Sequence, residues 1–160
     1  MAKATNPIPK GYHTITPSLT CRDAAKAIDF YKKAFGAQEL MRMPSPDGKI
    51  SHAEIKIGDS VVFINDEFPG RTAAPAPTAT PSSSLFLYVE DVDTVFNQAV
   101  SAGAKSTMPL QDMFWGDRFG NVLDPFGHQW GLATHIEDVA PEEIGRRAQA
   151  FFAKAAGHSQ

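Results

Sequence analysis

The chain has 160 residues, enough for one compact unit that buries roughly 70% of its unfolded surface. Its 18 acidic and 15 basic residues leave a net charge of −3 with no basic stripe, which argues against a nucleic-acid partner. No run approaches the ~18 apolar residues of a membrane span, the opening MAKATNPIPKGYHT has no apolar leader core, and the lone Cys21 excludes an internal disulfide, so a cytoplasmic protein without a membrane partner is expected.

The first strand-like run, Ser18–Asp23, leads into an amphipathic stretch over Ala24–Phe35. Asp23 stands at its N-cap and Gly36 at the position that favours a left-handed stop. Ala24, Ile28, Tyr31 and Phe35 share one stripe, with Lys26, Asp29, Lys32 and Lys33 opposite, so this helix has a face to bury on a sheet. Three strand-like runs follow, Gln38–Met43, Ile50–Ile57 and Val61–Asn65, separated by Pro46-Asp47-Gly48 and Gly58-Asp59 turn signals. In the second of these, Ala53, Ile55 and Ile57 alternate with His52, Glu54 and Lys56. The apolar set belongs under the helix and the polar set faces a cavity or solvent.

Residues 67–83 hold four prolines among small polar residues and read as a mobile linker. The pattern then repeats about 68 residues on. Phe86–Asp91 leads into Val92–Ala102, stopped by Gly103, and then come Lys105–Leu110, Gly116–Leu123 and Gln129–His135. The reading is α+β: two βαβββ modules, at 12–66 and 84–137, forming a curved mixed sheet around a cavity. A further helix over Pro141–Ala155, within the tail 138–160, places Ile144, Ala148, Phe151 and Ala155 on one stripe.

The last hairpin carries the most information. Asp124-Pro125-Phe126-Gly127-His128 is a turn with Pro at a corner and Gly where φ is positive. The strand after it puts Trp130 and Leu132 on one face and Gln129, Gly131 and Ala133 on the other. With FYKKAFGA, DGKISHAEIKIGDS and YVEDVD in order before it, GDRFGNVLDPFGHQWGLATH resembles the vicinal oxygen chelate superfamily of glyoxalases, bleomycin-resistance proteins and extradiol dioxygenases. The similarity is closer still to its PhnB-like branch.

That resemblance implies a site whose metal-binding members draw ligands from fixed strand positions. Carried over, those positions fall at Thr16, Phe63, about Ser82, and Gly131, where the metalloenzymes have a glutamate three residues after the turn histidine. Thr, Phe, Ser and Gly offer neither imidazole nor carboxylate, so neither a metal nor any other cofactor is expected. The same assignment turns Thr14, Thr16, Ser18, Phe63, Ser84, Phe86, Tyr88, Asp117, Phe119, Gln129, Gly131 and Ala133 inwards, with room left where Gly131 replaces the glutamate. Such a lining suits a partly apolar organic ligand. Trp115, beside Gly116, is a candidate lid, and Arg118 a candidate for an anionic group, unless both are consumed in packing and pairing. His128 is expected to bond backbone within the turn.

The expected function is metal-free small-molecule binding by a homodimer, in drug or metabolite sequestration. The dimer is expected because each module leaves one sheet face open and the tail stripe is apolar. The alternative is a lyase or isomerase using His52 and Glu54 as acid–base or metal groups. No other catalytic motif competes, since nucleophile-elbow, phosphate-loop and dinucleotide fingerprints are all missing.

Overall fold

The structure, a computed structural model, describes residues 4–157. The side chain of Ala155, assigned to the tail stripe, lies outside the described residues. In chain order the elements are β1 (Ser18–Cys21), α1 (Ala24–Phe35), β2 (Gln38–Pro44), β3 (Ile50–Ile57), β4 (Ser60–Asp66), β5 (Ser84–Tyr88), α2 (Val92–Ala102), β6 (Lys105–Asp112), β7 (Asp117–Leu123), β8 (Gln129–His135) and α3 (Pro141–Gly157). The fold is α+β, with two βαβββ modules, as expected. Each is its own mixed sheet, ordered β1-β4-β3-β2 and β5-β8-β7-β6, and no ladder joins the two among the described residues. No helix among them is long and apolar enough to cross a membrane.

The caps fall where the sequence put them. Asp23 accepts from the Lys26 amide at 3.0 Å and Asp91 from the Thr94 amide at 3.1 Å, each satisfying an amide that the first helical turn leaves open. A buried carboxylate then fastens helix to sheet in the first module. Asp66, at the end of β4, accepts from the Ala24 amide at 2.8 Å and the Ile50 amide at 2.7 Å, holding the start of α1 and the start of β3 together. The second module uses Thr134 instead, whose hydroxyl accepts from the Val92 amide at 2.9 Å.

Each helix covers one face of its sheet. Leu19, Cys21, Ala53, Ile55, Ile57, Val62 and Ile64 are buried on the α1 side, as are Val122, Trp130 and Leu132 on the α2 side. The helices also touch each other, with Gln98 Nε2 donating to the Lys33 carbonyl at 2.6 Å. Between the modules lies a wedge of rings, Phe30, Tyr31 and Phe35 from α1 meeting Phe126 and Trp130. At its centre Asp124 is 3% exposed. Its Oδ2 accepts from Tyr31 Oη at 2.7 Å and Trp130 Nε1 at 3.0 Å, and its Oδ1 from the Phe126 and His128 amides at 2.9 Å each. Four donors on one buried carboxylate satisfy it fully. The His128 ring adds a cross-module bond from Nε2 to the Thr20 carbonyl at 3.1 Å. So the Asp-Pro-Phe-Gly-His turn joins the modules, and its histidine does bond backbone, in the other module.

Segment 67–83 contains no helix and only the isolated Phe68–Thr72 bridge. It is fastened by Arg22 Nη2 donating to the Pro75 carbonyl at 2.6 Å and by the Ala74 amide donating to Glu67 at 2.8 Å. Cys21 is wholly enclosed. Burial, and then the Asp124 charge, push its thiol up to about 12, which makes it an inert core residue.

Candidate functional site

The face of each sheet away from its helix is where functional side chains collect. In the second module, alternation puts Ser84, Phe86 and Tyr88 on this open face. The strand register sets Phe86 against Gly131, and both Tyr88 and Phe119 against Ala133, with Asp117 against His135. Phe86 and Phe119 stack with centroids 5.3 Å apart and planes 3° from parallel, Tyr88 lies 4.9 Å from Phe86, and Trp115 lies 5.9 Å from Phe119.

Beside these rings sits Asp117, only 3% exposed. Its Oδ2 accepts from Tyr88 Oη at 2.9 Å and Trp115 Nε1 at 3.0 Å, and its Oδ1 from His135 Nδ1 at 2.8 Å. The other ring nitrogen of His135 lies 3.0 Å from Asp138 Oδ1. Burial alone pushes the Asp117 carboxyl up, but the bonds from His135, Tyr88 and Trp115 outweigh it and hold the group below its ordinary value. In turn Asp117, and then Asp138, raise His135 above the usual imidazole value.

Gly131 has no spare space. A Cβ there stands 2.9 Å from both the Phe119 and the Phe86 rings, so the stacked pair fills the room expected beside it. Trp115 sits in a tight turn. Its turn is closed by the Met113 amide on the Asp117 carbonyl at 2.7 Å, and a Cβ on Gly116 meets the Glu137 carbonyl at 2.1 Å. Gly116 therefore serves a close approach of backbone at a positive φ of 100°. Arg118 points to the helix side, where Nε pairs with Asp93 at 2.7 Å and Nη1 with Asp112 at 2.9 Å. It meets no ligand on the open face.

In the first module the open face carries Met41 and Met43 of β2, which pair with Glu54 and His52, and Phe63 of β4, which also pairs with Glu54. His52 Nε2 is 3.1 Å from Glu54 Oε1, and Tyr12 donates its hydroxyl to Glu54 Oε2. The Tyr12 bond, helped by His52, holds the Glu54 carboxyl below its ordinary value. Phe63 lies 4.8 Å from the His52 ring and 6.2 Å from that of Tyr12. Thr14, Thr16, Glu54 and Phe63 line a hollow of about 460 Å³ under the segment Pro7–Tyr12. A second cleft, of about 520 Å³, runs between the edges of β1 and β5, with Ser18, Ser84, Phe86 and Trp130 in its wall.

Of the residues picked from sequence, the structure thus gathers Phe86, Tyr88, Trp115, Asp117, Phe119 and Gly131 on one face and Thr16, His52, Glu54 and Phe63 on another. Ser82 belongs to neither. Because Ser18 pairs with Phe63 and Phe86 with Gly131, the 68-residue repeat maps Thr16 onto Ser84, two positions later. Tyr12 and His135 complete the two clusters and were not picked. His135 shares the face of Gln129, Gly131 and Ala133 by simple alternation, which was signal enough. Tyr12 left none.

The sequence profile of the Glyoxalase/Bleomycin resistance protein/Dioxygenase superfamily matches residues 12–132. The chain belongs to this superfamily. Among its relatives, Uncharacterized protein Rv0887c of Mycobacterium tuberculosis is 44% identical over 134 residues, covering 81% of this chain and 79% of that protein. The crystal structure of TioX from Micromonospora is 31% identical with a TM-score of 0.63, covering 78% of this chain and 99% of that one. The PhnB protein from Bacillus cereus, described as a putative 3-demethylubiquinone-9 3-methyltransferase, is 23% identical with a TM-score of 0.61, covering 76% of this chain and 99% of that one. At that identity the likeness is one of fold.

The superfamily's metal positions do not fit a divalent ion in this member. Gly131 lies under the Phe86 and Phe119 rings, Phe63 presents a ring between His52 and Tyr12, and Thr16 and Ser84 offer neutral hydroxyls. Among the described residues no three His, Cys, Asp or Glu side chains are grouped to hold a metal.

Proposed function

We propose that this superfamily member binds a small organic molecule without a metal or other cofactor, as a homodimer, in the sequestering manner of a bleomycin-resistance-type protein. One observation carries the reading. Large apolar side chains left exposed include Met41 and Met43 on the open face of the first module, and Phe86 and Tyr88 on that of the second. An apolar face of this kind marks a surface that something covers. The two faces belong to different modules of one chain, so a second copy related by a two-fold axis sets the first face of each against the second of the other. A ligand between them is enclosed by Phe86, Tyr88 and Phe119 on one side. Aromatic contacts of this kind contribute about 0.5–1.5 kcal/mol each beyond area burial.

The test is light scattering for the dimer, followed by a calorimetric screen against aromatic metabolites and antibiotics. Phe86→Ala and Tyr88→Ala are expected to weaken any hit by about threefold to tenfold each while the fold persists. Unchanged affinity in both variants overturns the assignment of the face. Elemental analysis after dialysis is expected to find no stoichiometric divalent metal.

A second reading, a lyase or isomerase, has the Tyr12–Glu54–His52 cluster in its favour, since a phenol, a carboxylate and an imidazole in bonding contact can move a proton. Its test is turnover of small oxygenated substrates that Glu54→Gln abolishes without changing their binding.

A further inference from the structure

We propose that the aromatic face of the second module selects flat organic cations over anions of the same outline. This rests on the small-molecule reading above and adds the ligand's shape and charge. The shape comes from the rings. Phe86 is 49% exposed and Tyr88 60%, and Phe86 lies 3° from parallel to Phe119. Phe119 backs Phe86, Tyr88 tilts 49° from it, and the exposed sides of Phe86 and Tyr88 are left for a planar ring system to settle on in offset stacking.

The charge comes from what lies around those rings. The Tyr88 hydroxyl and the Trp115 indole both donate to Asp117, so an anion at the edge of each ring polarises it. A ring enriched in electron density attracts a cation to its face and repels an anion. Glu90, two residues beyond Tyr88, lines with His135 and Tyr88 the shallow hollow at the end of the face. Asp138, fully exposed, holds the outer nitrogen of His135. The imidazole of His135 is thus the one candidate cation among the described residues of this hollow, and its charge is shared between Asp117 and Asp138. Arg118, adjacent in sequence to Asp117, is on the opposite side of the sheet with Asp93 and Asp112. Among the described residues of the hollow, an incoming anion meets carboxylates and no cation besides His135. An incoming cation meets carboxylates and π faces together.

Calorimetry with the full chain and three tricyclic probes of one outline tests this. Aminoacridine serves as the cation, acridine as the neutral form and acridine carboxylate as the anion, at mildly alkaline pH. Aminoacridine is expected to bind at least about tenfold more tightly than the carboxylate, with acridine between. Tenfold corresponds to about 1.4 kcal/mol, within the range of a partly desolvated cation–π contact. Asp117→Asn is expected to shrink that ratio about threefold. The double variant Glu90→Gln/Asp138→Asn changes exposed positions only and carries the same expectation should Asp117→Asn not fold. Phe86→Ala is expected to weaken all three probes alike. Equal affinities, a preference for the anion, or a ratio unmoved by the double variant overturn the charge selection and leave small-molecule binding standing. Binding of none of the three, or binding indifferent to Phe86→Ala, removes that reading and the selection with it.

Discussion

Gly131 is where the side chain itself decides what the second module can do. A Cβ there meets two rings at 2.9 Å. Phe86 is half exposed and can swing aside, whereas Phe119 is pinned against Trp115. Gly131→Ala is therefore expected to cost about 1–2 kcal/mol, at the low end for overpacking, and chemical denaturation measures it. Restoring a glutamate there removes the ring stack without assembling a ligand set. At the edge of the same face, Asp117→Asn takes away the carboxylate that raises His135. NMR titration of the imidazole is expected to show its pKa falling towards the ordinary value of about 6.5. The sign of the linkage follows from the raised value. The pair's contribution to stability is complete between about pH 4 and pH 6.5, and is lost as pH climbs through the folded-state value of His135 or falls through that of Asp117. His135 is half exposed, so that contribution is small. Arg118 teaches the opposite lesson about single residues. With Asp117 and Phe119 inward, period-two alternation already turns it outward, and its chemical suitability for an anion has no bearing on where it lies.

Elements were more legible than their partners. Asp23 and Asp91 as caps, the glycines that stop both helices, and the alternation in Ile50–Ile57 and Gln129–His135 are local signals, and local backbone physics obeys them. The Tyr88–Asp117 bond joins β5 to β7 across the intervening β8, and Tyr12 reaches Glu54 over 42 residues. Neither pairing has a sequence signature, because both depend on register between strands that meet only in the folded sheet. Asp66 shows how much one such contact holds. Asp66→Ala is expected to lower stability by about 2–6 kcal/mol, since buried amides of Ala24 and Ile50 both lose their acceptor at roughly 1–3 kcal/mol each. Hydrogen exchange is expected to show the first turn of α1 and the start of β3 losing protection together. Protection lost at only one of them means that Asp66 does not couple the two elements.

At the scale of the whole molecule, the repeat is a symmetry of backbone and not of side chains. Both modules have the same strand order, yet one open face carries methionines with a Tyr–Glu–His cluster and the other an aromatic stack beside Asp117. The proposed two-fold partner sets these unlike faces together. Tyr88→Lys places a charge on the exposed apolar surface, and it is expected to weaken the proposed dimer at least tenfold, as read by sedimentation. A monomeric wild type at all accessible concentrations would falsify that arrangement.

The Asp124 node has a consequence for how the halves stay together. Tyr31 Oη, the ring wedge and the His128 bond to Thr20 all cross between modules through side chains, so the peptide link through 67–83 is not their principal tether. A nick near Thr78, within a stretch lacking helix or strand, is expected to leave a two-fragment protein that co-migrates and melts cooperatively. Co-expressed as separate polypeptides, the halves are expected to complement one another, and Tyr31→Phe to weaken their reassembly more than it weakens the intact chain. The Asp124–His128 turn thereby acts in this protein as a non-covalent splice between two half-molecules.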